Sequence, residues 1–224
     1  LRNIKHCIMY QLSMKPFLLY IDIASIINDK DPQMEPNALR KQQLINGLKK
    51  LFEYDYKKHT CDILITDNTC TDLYPELQEL LPEGTIVRCF RDNHVGAINK
   101  GAGLVQKWLY NQETLLQYEW ILHFEGRQLL QSFEFMDRFF ADPRTYFRYG
   151  NPFDSSDLSH FYTGLFTVKV QDLFRFCSLY PIERLLKHHI SIEYAMKDVL
   201  IDRTTLVPRL QLRWFQSRKD PIDF

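Results

Sequence analysis

Three stretches of this chain set carboxylate, amide or guanidinium groups directly after an apolar run. "DILITDN" ends in Asp67 and Asn68, "TIVRCFRDNHVGAINKGAG" carries Asn93, Gly96 and Asn99, and "ILHFEGR" closes on Glu125, Gly126 and Arg127. Asp22 lies inside a fourth run, "KPFLLYIDIASII". A carboxylate in such a place accepts hydrogen bonds from a base or a ribose, and an amide both donates and accepts. The plainer role for Asp67 and Asn68 is an Asx turn or a cap on the next helix. Gly96, Gly101 and Gly103 fall around a helix start, where backbone N–H groups and the helix dipole favour an anion and glycine lets a ligand come close. Their spacing fits neither a Walker A loop nor a dinucleotide fingerprint, and tight packing of helix on sheet accounts for them equally. Glu125 is placed to hold a divalent cation that bridges a diphosphate. A second carboxylate belongs beside it, yet position 127 is arginine, which binds a diphosphate directly or forms a surface pair of small value with Glu125.

More charged groups come late in the chain: Asp154, Asp157, His160, His188, His189, Glu193 and Asp198. Adjacent histidines on a helix cannot both face one metal, so a zinc site is not expected. Glu193 and Asp198, five residues apart, are each candidates for a general base and each candidates for simple solvation.

These groups need elements to position them. Lys15 to Ile27 reads as a buried strand, 28–37 as a polar loop, and Ala38 to Tyr56 as an amphipathic helix with Leu44, Leu48 and Leu51 on its apolar face. "CDILITDN" is a second strand, followed by a helix through Leu80, and "TIVRCF" a third. A helix from Ala97 to Leu109 follows, then the strand "YEWILHFEG", a helix over Leu130 to Phe140 and the strand "TYFRYG". "NPFDSSDLSH" reads as a loop, "FYTGLFTV" as a sixth strand, and "VQDLFRFCSLY", "IERLLKHH" and "IEYAMKDVLID" as helices. Strands alternating with helices imply a mostly parallel sheet covered on both faces. In such sheets ligands bind outside the carboxyl ends of the strands, where Asp67, Arg91 to Gly96 and Glu125 to Arg127 fall.

The bulk numbers narrow the classes. A chain of 224 residues with 45% hydrophobic and 25% charged residues suits one large α/β domain over 1–224. Lysine plus arginine equals aspartate plus glutamate at 28 each, which argues against a nucleic-acid partner. Five cysteines without a C-x-x-C pair give neither a disulfide framework nor a zinc site, and imply a reducing compartment. The longest apolar run, broken by Asp22, is too short for a membrane segment. The expected place is the cytoplasm or the cytoplasmic face of a membrane. Leu1 stands where an initiator Met would, as in a piece cut from a longer chain.

In order, these elements resemble the inverting, family-2-type glycosyltransferases of the GT-A fold. "ITDNTCTDLY" is similar to that family's V-D-N-x-S-x-D-x-T element, and "NHVGAINKGAG" to its N-x-G-x-x-x-A-x-N-x-G element. "LHFEGR" stands where the family has L-D-x-D, and "YTGLFTVKV" where it has G-G-x-F-x-x-x-R. The resemblance spans roughly residues 17 to 200. It implies a Rossmann-like three-layer sandwich that takes a nucleoside-diphosphate-sugar donor and a hydroxyl-bearing glycan acceptor. By the same resemblance Asp67, with Asp22 and Asn68 close by, contacts the base, while Asn93, Gly96 and Asn99 line the nucleotide. Thr163 and Gly164 lie near donor sugar and acceptor, Glu125 holds Mn²⁺ or Mg²⁺, and Glu193 is the base. Two departures are plain: E-G-R replaces D-x-D, which opens a metal-independent route through Arg127, and Tyr194 follows Glu193 where the family has an E-D pair. A binding module without catalysis and a sugar nucleotidyltransferase are the alternatives; the latter's glycine-rich loop is missing from "ASIINDKDPQ".

Overall fold

The computed structural model describes residues 14–26, 37–151, 156–215 and 222–223. Asp154, Cys7, Ile27 and nearly all of the loop expected over 28–37 lie outside them. Strand β1 (Lys15–Ile23) is followed by helix α1 (Asn37–Leu51), β2 (Cys61–Asp67), α2 (Pro75–Gln78) and β3 (Ile86–Cys89). Next come α3 (His94–Ile98), α4 (Lys100–Tyr110), α5 (Gln112–Leu115), β4 (Tyr118–Glu125), β5 (Leu129–Leu130), α6 (Glu134–Ala141) and β6 (Thr145–Phe147). The rest is β7 (Leu165–Lys169), α7 (Val170–Leu179), α8 (Ile182–Lys187), α9 (Ile192–Leu200), β8 (Thr204–Leu206), β9 (Leu212–Trp214) and β10 (Ile222–Asp223).

The main sheet has the order β3-β2-β1-β4-β7-β6-β8, and a small sheet joins β10, β9 and β5. Strands β3, β2, β1 and β4 run parallel, β7 runs against β4 and β6, and β8 runs with β6. One strand of the seven is therefore reversed, and the sheet is mostly parallel.

Side-chain alternation in β1 explains why both faces are covered. Leu19, Ile21 and Ile23 join a core with Leu44, Leu48 and Leu51 of α1 and with Phe135, Met136 and Phe139 of α6. Leu18 and Tyr20 join the opposite core, with Val105 and Trp108 of α4, Phe176 of α7 and Met196 of α9. The result is three layers, helix on sheet on helix. On the second face Tyr20, His123, Phe166 and Phe147 stack from strand to strand, with ring centroids 5.6, 4.5 and 4.7 Å apart.

Several boundaries differ from the sequence reading. The first strand stops at Ile23, because Ala24 to Ile26 leave the sheet. Helix α1 ends at Leu51; Tyr54 and Tyr56 are buried in the core beyond it. The helix expected from Ala97 to Leu109 is two, broken where Asn99 takes an extended conformation (φ −143°, ψ 112°) and its side chain caps α4 by accepting from Ala102 N at 3.0 Å. Leu129 and Leu130 form a strand rather than opening a helix, and the sixth strand begins only at Leu165.

Candidate functional site

Chain order places β2 and β3 on one side of β1 and β4 on the other, so the connection switches direction between β1 and β4. A crevice opens beyond the carboxyl ends of open α/β strands at such a point. Here it has a volume of about 30 Å³ and is lined by Asp22, Ile23, Ala24, Arg40, Leu44, Glu125 and Arg127. Backbone register makes Asp22 and Glu125 neighbours across β1 and β4, and sets Ile23 beside Asp67 across β1 and β2.

Each carboxylate has a different environment. Asp22 is bound by Lys107, whose Nζ lies 2.5 Å from Oδ1 and donates to the Ile23 carbonyl at 2.9 Å. Lys107 comes from α4 and is itself 5% exposed. Burial raises the Asp22 carboxyl above its ordinary range, and Lys107 offsets only part of that rise. Asp67 is fully buried: Oδ2 accepts from Ser25 N at 2.9 Å, and Oδ1 from Thr69 N at 2.7 Å and Thr69 Oγ1 at 2.6 Å. It clamps the turn after β1 to the turn after β2.

Glu125 accepts from Arg127 Nε at 2.7 Å and from Gln128 Nε2 at 2.8 Å, one on each oxygen. Burial alone would push its carboxyl up. Arg127, the Gln128 amide and the charge of Arg40 outweigh that and bring it down to about 2. Arg40 reaches the crevice from α1, donating from Nε to the Ala24 carbonyl at 2.6 Å. Gly47 lets α1 come this near: a Cβ there would stand 2.3 Å from the Gly126 carbonyl oxygen.

The second motif sits beside the crevice and is built largely for packing. Asn68 Nδ2 donates to Asn93 Oδ1 at 3.0 Å. Gly96 and Gly103 bring α3 and α4 together so closely that a Cβ on Gly103 would stand 2.6 Å from the Gly96 Cα. Asn99 ties α4 to the α8–α9 turn through the carbonyls of Leu185 and Ile190. Gly164 adjoins the site, its carbonyl accepting from Glu125 N at 2.8 Å, and Thr163 precedes it. Glu193, in the first turn of α9, accepts from Ser191 Oγ, and its carbonyl accepts from Phe161 N at 3.2 Å, two residues before Thr163. Asp198 is exposed and takes the Tyr180 hydroxyl at 3.2 Å; no contact joins it to the crevice among the described residues.

The structure therefore brings together Asp22, Asp67, Glu125 and Arg127, with Gly164 alongside. Lys107, Arg40 and Gln128 are the site residues that sequence reasoning did not select. Among the described residues no group of three or more His, Cys, Asp and Glu is arranged to hold a metal ion. No helix of the described residues is long and apolar enough to cross a membrane.

This combination of sheet order and strand-end crevice is the GT-A-type, Rossmann-like architecture. No protein-family model and no curated protein matches the sequence. Solved structures do match the fold. A cytidylyltransferase from Leptospira borgpetersenii is similar at a TM-score of 0.55 and 13% identity, over 94% of this chain and 82% of that one. A nucleoside-diphosphate-sugar pyrophosphorylase from Vibrio cholerae gives 0.55 and 11%, over 88% and 95%. Core-mannan synthase A from Aspergillus fumigatus, in its Mn/GDP form, gives 0.51 and 10%, over 84% and 72%. At these identities the likeness establishes the fold that the sequence motifs imply.

Proposed function

We propose that the chain is a glycosyltransferase that moves a sugar from a nucleoside-diphosphate-sugar to a hydroxyl of a glycan acceptor, with inversion. The observation that carries this is the polar crevice at the switch point of a GT-A-type sheet, where Asp22, Glu125, Arg40 and Arg127 converge. Similar folds belong to a mannan synthase and to two enzymes whose names concern nucleotides or nucleotide-sugars. In this reading the base and ribose lie over the turns after β1 and β2 that Asp67 fastens, and the diphosphate faces the guanidinium groups. Glu193 takes the proton of the acceptor hydroxyl as that oxygen bonds to the anomeric carbon. The bond from that carbon to the diphosphate breaks on the opposite face, and the leaving charge is met by Arg127 and Arg40.

A thermal-shift panel of UDP-, GDP-, CDP- and dTDP-sugars tests the reading. One donor class at about a hundred times its Kd should stabilise by about 2.7 kcal/mol, which raises Tm by a few degrees. No response to any donor would remove the nucleotide-sugar site. A response without sugar transfer or donor hydrolysis would indicate a binding module, and release of pyrophosphate from a nucleoside triphosphate and a sugar phosphate would indicate a nucleotidyltransferase.

A further inference from the structure

We propose that Cys70 and Cys89 form a redox-modification site, closed into a disulfide by hydrogen peroxide, and that closing it loosens the turn that Asp67 fastens. The proposal is independent of the nucleotide-sugar reading.

Two segments bring the thiols together. Cys89 ends β3, an edge strand of the main sheet, in register with Asp67 at the end of β2. The Phe90 N–H donates to the Asp67 carbonyl at 2.9 Å and fastens that strand end. Cys70 comes three residues after Asp67, in the turn that leaves β2. A hydrogen bond joins its thiol to that of Cys89. Both cysteines are free, Cys70 buried and Cys89 partly exposed.

A thiol that is oxidised reversibly needs exposure, a share of thiolate and a second thiol within reach. Cys89 has all three. Its hydrogen bond with Cys70 brings the Cys89 thiol below its ordinary range, against the opposing effects of burial, Asp67 and Asp72. The same hydrogen bond, with burial, raises the Cys70 thiol, so Cys89 is the partner that ionises first. Cys61 and Cys177 differ: burial pushes each thiol up to about 12 and leaves it an inert small hydrophobe. The Cys89 thiolate attacks one peroxide oxygen and the O–O bond breaks. The hydroxide that leaves takes up the proton of the Cys89 thiol, and Cys89 is now a sulfenic acid. The Cys70 sulfur then attacks the Cys89 sulfur, and the S–O bond breaks. The second hydroxide leaves as water with the Cys70 proton. The two sulfurs lose two electrons, the peroxide gains them, and two waters form.

Bond formation draws the sulfurs from hydrogen-bond contact to about 2 Å apart. The end of β3 is held in the sheet, so the turn must move. Thr69, next to Cys70, donates to Asp67 from N at 2.7 Å and from Oγ1 at 2.6 Å. Its Oγ1 also accepts from Ile26 N at 3.0 Å. Drawing Cys70 towards β3 stretches these bonds.

Peptide mapping by mass spectrometry tests the site, once the reduced chain has been exposed to hydrogen peroxide and its remaining thiols blocked. The peptides that hold Cys70 and Cys89 should be joined, Cys61 and Cys177 should be found as blocked thiols, and dithiothreitol should part the pair. Cys70→Ser should leave Cys89 as a sulfenic acid that dimedone captures, and Cys89→Ser should leave Cys70 unoxidised. Cys89 is partly exposed, so its variant keeps the test sound if the Cys70 variant does not fold. Hydrogen–deuterium exchange at the Ile26 and Thr69 amides should be about tenfold faster in the cross-linked chain than in the reduced one. Oxidation of Cys61 or Cys177 ahead of the pair, or a sulfinic acid at Cys89 with no cross-link in the unsubstituted chain, would overturn the site. Unchanged exchange at those amides in the cross-linked chain would overturn its hold on the turn.

Discussion

Asp67 shows how a residue that the motif resemblance assigns to the nucleotide also has a structural task. Its carboxylate receives three donors from Ser25 and Thr69, so removing it leaves buried N–H groups without acceptors. Asp67→Ala should cost about 3 kcal/mol or more in urea denaturation, a clamp's share of a small total stability. A loss under about 1 kcal/mol would show that the turns hold together without it. Glu193 is the opposite case, half-exposed and contacting only its own turn through its side chain among the described residues. If it is the base, Glu193→Gln lowers the transfer rate by about two to four orders of magnitude while the melting temperature stays put. An unchanged rate would take it out of that role.

Elements decide which residues meet, and the ring stack across β1, β4, β7 and β6 offers a test of the packing. His123 lies 1% exposed between Tyr20 and Phe166, and burial lowers its pKa from 6.5 to about 3. The native state thus keeps this imidazole neutral, whereas the unfolded chain takes up a proton as pH falls below about 6.5. His123 therefore favours folding fully above that pH, and the contribution is lost progressively as pH falls towards 3. Its slope is about 1.4 kcal/mol per pH unit within the window. His123→Phe should flatten the stability profile from about pH 6.5 to 5.5, above the range where Glu125 also begins to take up protons in the unfolded chain. An unaltered profile there would mean that the imidazole is solvated or charged in the native state. The strands themselves were legible from sequence because β1, β2 and β4 are buried on both faces and read as unbroken apolar runs. That also made Asp22, Asp67, Glu125 and Arg127 legible, since each stands at or just past a run's end. The reversal of β7 was not, because a strand buried on both faces has the same pattern in either direction. Lys107 and Arg40 were hidden for a related reason: a lysine or arginine on an amphipathic helix reads as solvent-facing. The one available signal was that Leu104, Lys107 and Trp108 share the three-to-four spacing of a buried face.

At the scale of the whole molecule, the described residues leave an opening at each end of the sheet's strands. The carboxyl-end crevice is the smaller. At the amino ends of β4, β6 and β8 a broad groove of about 600 Å³ is lined by Trp120, Arg144, Lys169, Asp172 and Arg203 among others. Size alone would favour that groove, where Arg144 pairs with Asp142 at 2.8 Å, Lys169 with Glu119 at 3.4 Å and Arg203 with Asp172; the switch point of the sheet favours the carboxyl ends. At the carboxyl end Lys107 pairs with Asp22 and Arg127 with Glu125, and Arg40 joins them from a third element. The overall charge of zero agrees with a protein whose cations serve local sites rather than a polyanion. Hydrogen–deuterium exchange with each nucleoside diphosphate in turn compares the two edges directly. One nucleotide should slow exchange at residues 22–26 and 125–128 and leave 143–145 and 203–205 unchanged. Protection confined to the groove, or none with any nucleotide, would contradict a nucleotide-sugar site at the strand ends.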